Sequence, residues 1–129
     1  DIKKFLKTDY TNKTYKKEAD EAQLPRTRSR ELMWNINKRD VENLTYFNTI
    51  TCNMDRQNNA GMILYDGPKG NSYRLLTARE AFLLMGFSEE DFENVKKLGL
   101  SYRKMIKLAG NSIVVPVLEA IFKVMFEEK

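Results

Sequence analysis

The segment that most limits how this chain can fold is Leu108-Ala109-Gly110-Asn111-Ser112-Ile113-Val114-Val115-Pro116-Val117-Leu118-Glu119-Ala120-Ile121. Gly110 leads into Asn111 and Ser112, a pair suited to cap a helix, and the spacing predicts that helix from about Ser112 to Phe126. Ile113, Val114, Val117, Leu118, Ile121, Phe122, Val124 and Met125 leave only Glu119 and Lys123 to face water. A helix apolar on nearly every side has to lie between two layers. In a basic chain of 129 residues, such a helix calls for a partner surface.

The totals exclude several kinds of chemistry. Hydrophobic content of 42% and charged content of 31% fit a folded domain, or a piece of one. With no His and one Cys, there is no ligand set for a zinc site and no histidine base. Cys52 cannot form an internal disulfide, which points to a reducing, cytoplasmic setting; it reads as a small buried apolar residue in a strand. Asp1–Leu6 lacks the apolar core of a secretory signal. Residues 112–126 fall short of the ~20 a membrane span needs, so no membrane partner is expected. The net charge of +4 permits nucleic-acid binding, and the basic excess lies towards the front: residues 1–60 hold twelve Lys/Arg against nine Asp/Glu, residues 61–129 ten against nine. The chain does not open on Met, and an excised or processed piece is the expectation.

Along the chain, Ile2, Phe5 and Leu6 predict a short amphipathic turn. Residues 8–31 are polar and read as loop, with a short helix near 16–22. Leu32, Met33, Trp34 and Ile36 form an apolar knot. The β-branched and aromatic run Leu44–Cys52 predicts a strand. A polar loop follows, then strands at Met62–Tyr65 and Tyr73–Leu76 joined by the turn signal Asp66-Gly67-Pro68-Lys69-Gly70. Thr77-Ala78-Arg79-Glu80 is a capping-box pattern opening a helix that stops at Gly86. Ser88-Glu89-Glu90-Asp91 opens another, ending near Leu98-Gly99, and Ser101–Leu108 a short basic one. The expected fold class is α+β: a small antiparallel sheet followed by three to four helices.

Two blocks carry a resemblance. Arg74-Leu75-Leu76-Thr77-Ala78-Arg79-Glu80-Ala81-Phe82-Leu83-Leu84-Met85-Gly86-Phe87 matches R-x-L-T-x-R-E-x-x-x-L-M-G-F at every fixed position. Gly110–Ile121 is similar to G-N-S-V-V-x-P-V-L, with Ile113 a mild change. These resemble the last two conserved blocks of DNA (cytosine-5) methyltransferases, in the family's order and separation. The resemblance implies a fragment of a larger α/β methyltransferase. Residues 1–72 take the place of the variable target-recognition region, and 73–129 are closing helices that return to the cofactor-binding domain. The family's glycine-rich loop, Pro-Cys nucleophile, Glu-Asn-Val block and Gln-x-Arg-x-Arg block do not occur here; Thr51 precedes Cys52. The chain is therefore expected to be inactive alone, with no catalytic residue of its own and the missing catalytic part as partner. A separate recognition subunit of a split methyltransferase, a binding module without its own activity, is the alternative.

In that family a cytosine is flipped from the duplex, a cysteine thiolate adds to C6, and C5 takes the methyl group of S-adenosylmethionine. Carried over, Asn111 and Ser112 hold the amino-acid end of the cofactor and Ile113 and Val114 line its wall; free N–H groups at a helix start would suit a carboxylate. The bland alternative is that Asn111 and Ser112 only cap the helix. For double-stranded DNA, Arg26, Arg28 and Arg30 alternate with Thr27 and Ser29, which suits phosphates or guanine edges. Arg56 and Asn58 lie in an amide-rich loop, and Asn48 and Thr49 resemble groove-facing segments. Each is otherwise an ordinary solvated side chain. Arg79 and Glu80 read as structural. The isolated chain is expected to self-associate or to pack its last helix in a non-native way, and the whole enzyme to work on nucleoid-associated DNA.

Overall fold

The computed structural model describes residues 1–37, 40–47, 49–51 and 61–127, without the side chains of Met33, Ile36 and Asn37. Asp1 caps a 3-10 turn over Ile2–Phe5 that buries Ile2. Asn12 accepts from the backbone N–H groups of Thr14 and Tyr15 at 2.9 and 3.3 Å and so starts helix α1, Lys13–Ala22. α1 is longer than its sequence pattern suggests, and it buries Glu18, Ala19 and Ala22. Strand β1, Gln23–Leu24, follows directly. Helix α2, Arg28–Asn37, then takes in both the apolar knot and residues 28–31, the last of the region expected to be loop.

Strands β2, Ile63–Gly67, and β3, Gly70–Arg74, form a hairpin closed by the pair Gly67 and Gly70. Gly70 holds φ 79°, the left-handed conformation this tight turn needs. The sheet order is β1-β3-β2, all antiparallel, with Gln23 opposite Arg74 and Leu24 opposite Tyr73. The buried Gln23 side chain explains a polar residue in this strand. Its amide nitrogen donates to the Gly70 carbonyl and its amide oxygen accepts from Lys69 N–H, both at 2.9 Å, clasping the hairpin turn.

The strand expected over Leu44–Cys52 is not there at 44–47 and 49–51; Cys52 lies outside the described residues. Asp40 caps a 3-10 turn, Val41–Asn43, and Val41 N–H reaches the Met62 carbonyl at 3.0 Å in an isolated bridge. β1 and β2 take the two sides of the central strand β3, and neither 44–47 nor 49–51 pairs with the sheet's outer edges, since strand propensity depends on packing context and here the side chains are used in the core. The segment delivers side chains instead: Val41 and Ile50 enter the core, and Phe47 packs so close to Gly61 that a Cβ there would lie 2.6 Å from its ring.

The second half follows its local signals. Thr77 and Glu80 form the capping box of helix α3, Ala78–Leu84, and Ser88 and Asp91 form that of helix α4, Glu89–Lys96. Phe82 of α3 packs against Phe87 and Phe92 at ring separations of 5.6 and 5.5 Å. Helix α5, capped by Ser101, spans Tyr102–Asn111 and buries Met105, Ile106 and Ala109. It runs through Gly110 because Ala109, fully buried, holds the last turn against the core. Ser112 is the C-cap of α5, and helix α6, Val115–Glu127, begins three residues on. Asn111 and Ser112 thus end one helix rather than starting the next, contrary to the sequence reading.

No residue of α6 is buried. Taken end to end, Tyr102–Glu127 is long and apolar enough to cross a membrane, with mean hydropathy 1.6 over its most apolar 18 residues, which residues 112–126 alone did not suggest. It is not one rod, however: Ser112–Val114 break it, and α5 is packed into the core.

Candidate functional site

Two sealed arginines build the frame that holds the site. Arg74 and Glu80, both with no side-chain exposure, meet through paired bonds of 3.0 and 2.9 Å. Arg74 Nε donates to the Tyr10 hydroxyl at 3.0 Å, and Glu80 also accepts the N–H groups of Lys7 and Thr77 at 2.8 and 2.9 Å. Burial alone would weaken Arg74's hold on its proton, but the facing carboxylate more than offsets this and raises its pKa. Arg79 gathers three carboxylates: Glu18 at 2.8 Å, Glu89 at 2.6 Å and Glu93 at 2.6 Å. Its guanidinium sits 4.8 Å from the centre of the Phe92 ring. The first arginine ties the N-terminal turn and α1's approach to β3 and α3; the second ties α1, α3 and α4. Both act as structural groups.

Beside this frame lies a cleft of about 550 Å³. It is lined by Leu84, Met85, Gly110, Ser112 and Val114 from the second half of the chain, by Thr45, Tyr46, Phe47, Thr49 and Ile50 from the first, and by Ile2 and Phe5. The lining is mostly apolar with a few hydroxyls, the usual make-up of a small-molecule site. Ser112 Oγ donates to the Ile113 carbonyl at 3.3 Å, a weak local bond that a ligand can replace. The structure therefore brings Ser112, Val114 and Thr49 to one cleft. Asn111, exposed in the last turn of α5, is not on its lining. The electrostatics also differ from the expectation: Ser112 sits at the C-terminal end of α5, where the helix dipole favours a cationic group rather than a carboxylate.

The candidate DNA contacts are arranged differently from a row of alternating residues. Arg28 and Arg30 both lie in the first turn of α2, where a spacing of two turns them to different sides of the helix. Arg30 donates to the Pro25 carbonyl at 3.0 Å. Arg26 pairs with Glu31 at 2.8 Å and lies 5.7 Å from the centre of the Tyr73 ring. Arg26 and Arg28 are exposed, and Arg30 is half-buried. Asn48, Arg56 and Asn58 lie outside the described residues. Sequence reasoning did not pick out Tyr46, Phe47 and Met85 as lining residues. The first two sat in a run read as strand, and Met85 inside a block read for its cap and stop.

A family model described as C-5 cytosine-specific DNA methylase matches residues 2–127. An orphan methyltransferase of Bacillus phage rho11s is 46% identical over 65 residues, covering 49% of this chain and 12% of that protein. An orphan methyltransferase of Bacillus phage SPR is 50% identical over 50 residues, 39% of this chain and 11% of that protein. A type II methyltransferase of Lactococcus lactis subsp. cremoris is 43% identical over 56 residues, 43% and 15% of the two chains. The chain thus spans only a small part of these relatives. No solved structure matches it significantly. With one family model running over nearly every residue that carries the sheet, the cleft and the helices, this chain belongs to the C-5 cytosine-specific DNA methylase family.

Proposed function

We propose that this chain is the DNA-reading and cofactor-closing portion of a cytosine-5 DNA methyltransferase. It would work with a nucleotide-binding lobe that carries the cysteine nucleophile, on DNA in the nucleoid-associated cytoplasm. Residues 1–72 would engage double-stranded DNA, with Arg26, Arg28, Arg30 and Thr49 among the described contacts. Residues 73–129 would close the S-adenosylmethionine pocket. The cofactor supplies the methyl group when bound. Ser112 would orient it with one hydroxyl, and Val114 would exclude water from one side of it.

The observation that supports this reading is the meeting of Ser112 and Val114 with Thr49 across one cleft, next to a helix that is apolar and uncovered. The cleft's mostly apolar lining and single serine hydroxyl on the closing wall fit a ligand with a large apolar surface and a polar end. The same cleft joins the two halves of the chain, as a site that couples recognition to methyl transfer requires.

The test is to mix this chain with a cofactor-binding lobe of the family that lacks these blocks. Transfer of a labelled methyl group from S-adenosylmethionine to duplex DNA is then measured. Transfer that needs both parts, and a higher KM for S-adenosylmethionine with Ser112→Ala, is the expected result. No transfer, together with no DNA binding by this chain, would overturn the proposal.

A further inference from the structure

We infer that Gly86 is a positioning residue, the spacer that seats Pro116 and thereby aims α6 and the Ser112–Val114 wall. Three glycines hold left-handed backbone: Gly70 at φ 79°, Gly86 at φ 91° and Gly99 at φ 69°. A Cβ added at Gly70 or Gly99 would meet nothing within 4 Å. At Gly86 it would lie 2.3 Å from Pro116 Cδ, 3.0 Å from its Cγ and 3.3 Å from Val115 Cβ. Gly86 therefore answers two demands, one of backbone conformation and one of space, and only the second reaches another element.

The contact is reinforced from the neighbouring residues. Val115 N–H, at the first position of α6, donates to the Met85 carbonyl at 2.9 Å. The end of α3 and the start of α6 are thus stapled by one hydrogen bond and one backbone-to-ring contact. Since α6 buries no residue of its own, this joint sets its direction. Met85 lies on the main cleft with Ser112 and Val114, while Gly86 and Val115 line a second cavity of about 430 Å³ against α4. Pushing Pro116 away from Gly86 would carry Val114 and Ser112 with it. The link to a cofactor wall rests on the function proposed above; the joint itself does not.

The experiment uses the 129-residue chain with Cys52→Ser and spin labels on Glu90→Cys and Lys123→Cys, exposed positions on α4 and α6 away from the second cavity. Gly86→Ala is expected to shift or broaden the interspin distance. Gly99→Ala, which imposes the same backbone strain in open space, is expected to leave it unchanged. Adding Pro116→Ala to Gly86→Ala is expected to restore the distance by removing the ring. Should Gly86→Ala fail to fold, the Gly86→Ala/Pro116→Ala chain should still fold with the original distance. An unmoved distance in Gly86→Ala, an equal shift in Gly99→Ala, or a double variant that is unfolded or still displaced would overturn the inference. Duplex DNA binding by the same proteins reads the proposed function separately: a moved α6 in a chain that binds no DNA keeps the joint and removes the DNA reading.

Discussion

Arg74 and Glu80 face each other in a fully buried double hydrogen bond, six residues apart, across the corner between β3 and α3. Glu80 spends its remaining capacity on the backbone of Thr77 and Lys7, so one carboxylate joins the strand end, the helix cap and the N-terminal segment. Removing one partner of a buried pair leaves the other charge stranded. Glu80→Ala is therefore expected to lower stability by ~3–5 kcal/mol, read from urea unfolding midpoints. Glu80→Gln, which keeps an acceptor for the backbone groups, should lose less. Equal losses in the two variants would show that the ion pair, not the backbone acceptors, dominates.

Arg79 makes a pH-dependent version of the same argument. At Glu89, burial opposes ionisation, but hydrogen bonds from Arg79 and Lys7 overcome it and hold the pKa below its ordinary value of 4.5. At Glu93 the hydrogen bond from Arg79 does the same. Below 4.5 the unfolded chain takes up protons that the folded one resists, so this contribution is present above that pH and is lost as pH falls through the folded values. Glu89→Gln/Glu93→Gln should be less stable than the parent near neutral pH, and the gap should close on acidification. Urea midpoints across a pH series would show it; a gap that is constant with pH would contradict the assignment.

What could be read from residue order alone was whatever is local. The capping box at Thr77 forms where its pattern predicts it, and the helix expected to open at Ser88 does open there, with a second box between Ser88 and Asp91. The Gly-Pro-Lys-Gly turn carries its own conformational demand. The errors come from tertiary competition. Leu44–Cys52 has strand composition, yet its described residues pack side chains into the core without joining the sheet, and the third strand is Gln23–Leu24, a stretch too short and polar to announce itself. The α5–α6 boundary moved because burial of Ala109 outweighs the helix-breaking tendency of Gly110. Of the site, Ser112 and Val114 were legible through the closing block. Their cleft partners Tyr46 and Phe47 lie far away in sequence, and only the fold brings them there.

The placement of the arginines orders their expected effects on DNA. Arg28 is exposed on the first turn of α2 and makes no ion pair among the described residues. Arg28→Ala should weaken binding to any duplex and reduce the slope of log K against log salt by about 0.9 if it contacts one phosphate. Arg26 is held by Glu31, so Glu31→Gln should release it and strengthen binding at low salt. Fluorescence anisotropy on duplex DNA over a salt series measures both. Unchanged slopes in both variants would remove α2 from the DNA surface.

The uncovered face of α6 makes the last prediction. Val117, Ile121, Val124 and Met125 are 53, 48, 59 and 57% exposed and lie along one groove. Phe122 and Phe126, also exposed, lie against each other with ring centres 5.9 Å apart and planes tilted by 48°. An apolar surface of this kind on a monomer favours association. Val117→Glu/Ile121→Glu, two changes one turn apart, should reduce self-association in sedimentation and lower the binding of a hydrophobic dye. Because neither side chain is buried, the unfolding midpoint should change by no more than about 0.5 kcal/mol in equivalent stability. The same pair should abolish assembly with a cofactor-binding lobe, since two buried unpaired carboxylates would then face its apolar surface. A large loss of stability in the isolated chain would mean that α6 is covered by its own polypeptide in solution, and the open face would no longer argue for a partner.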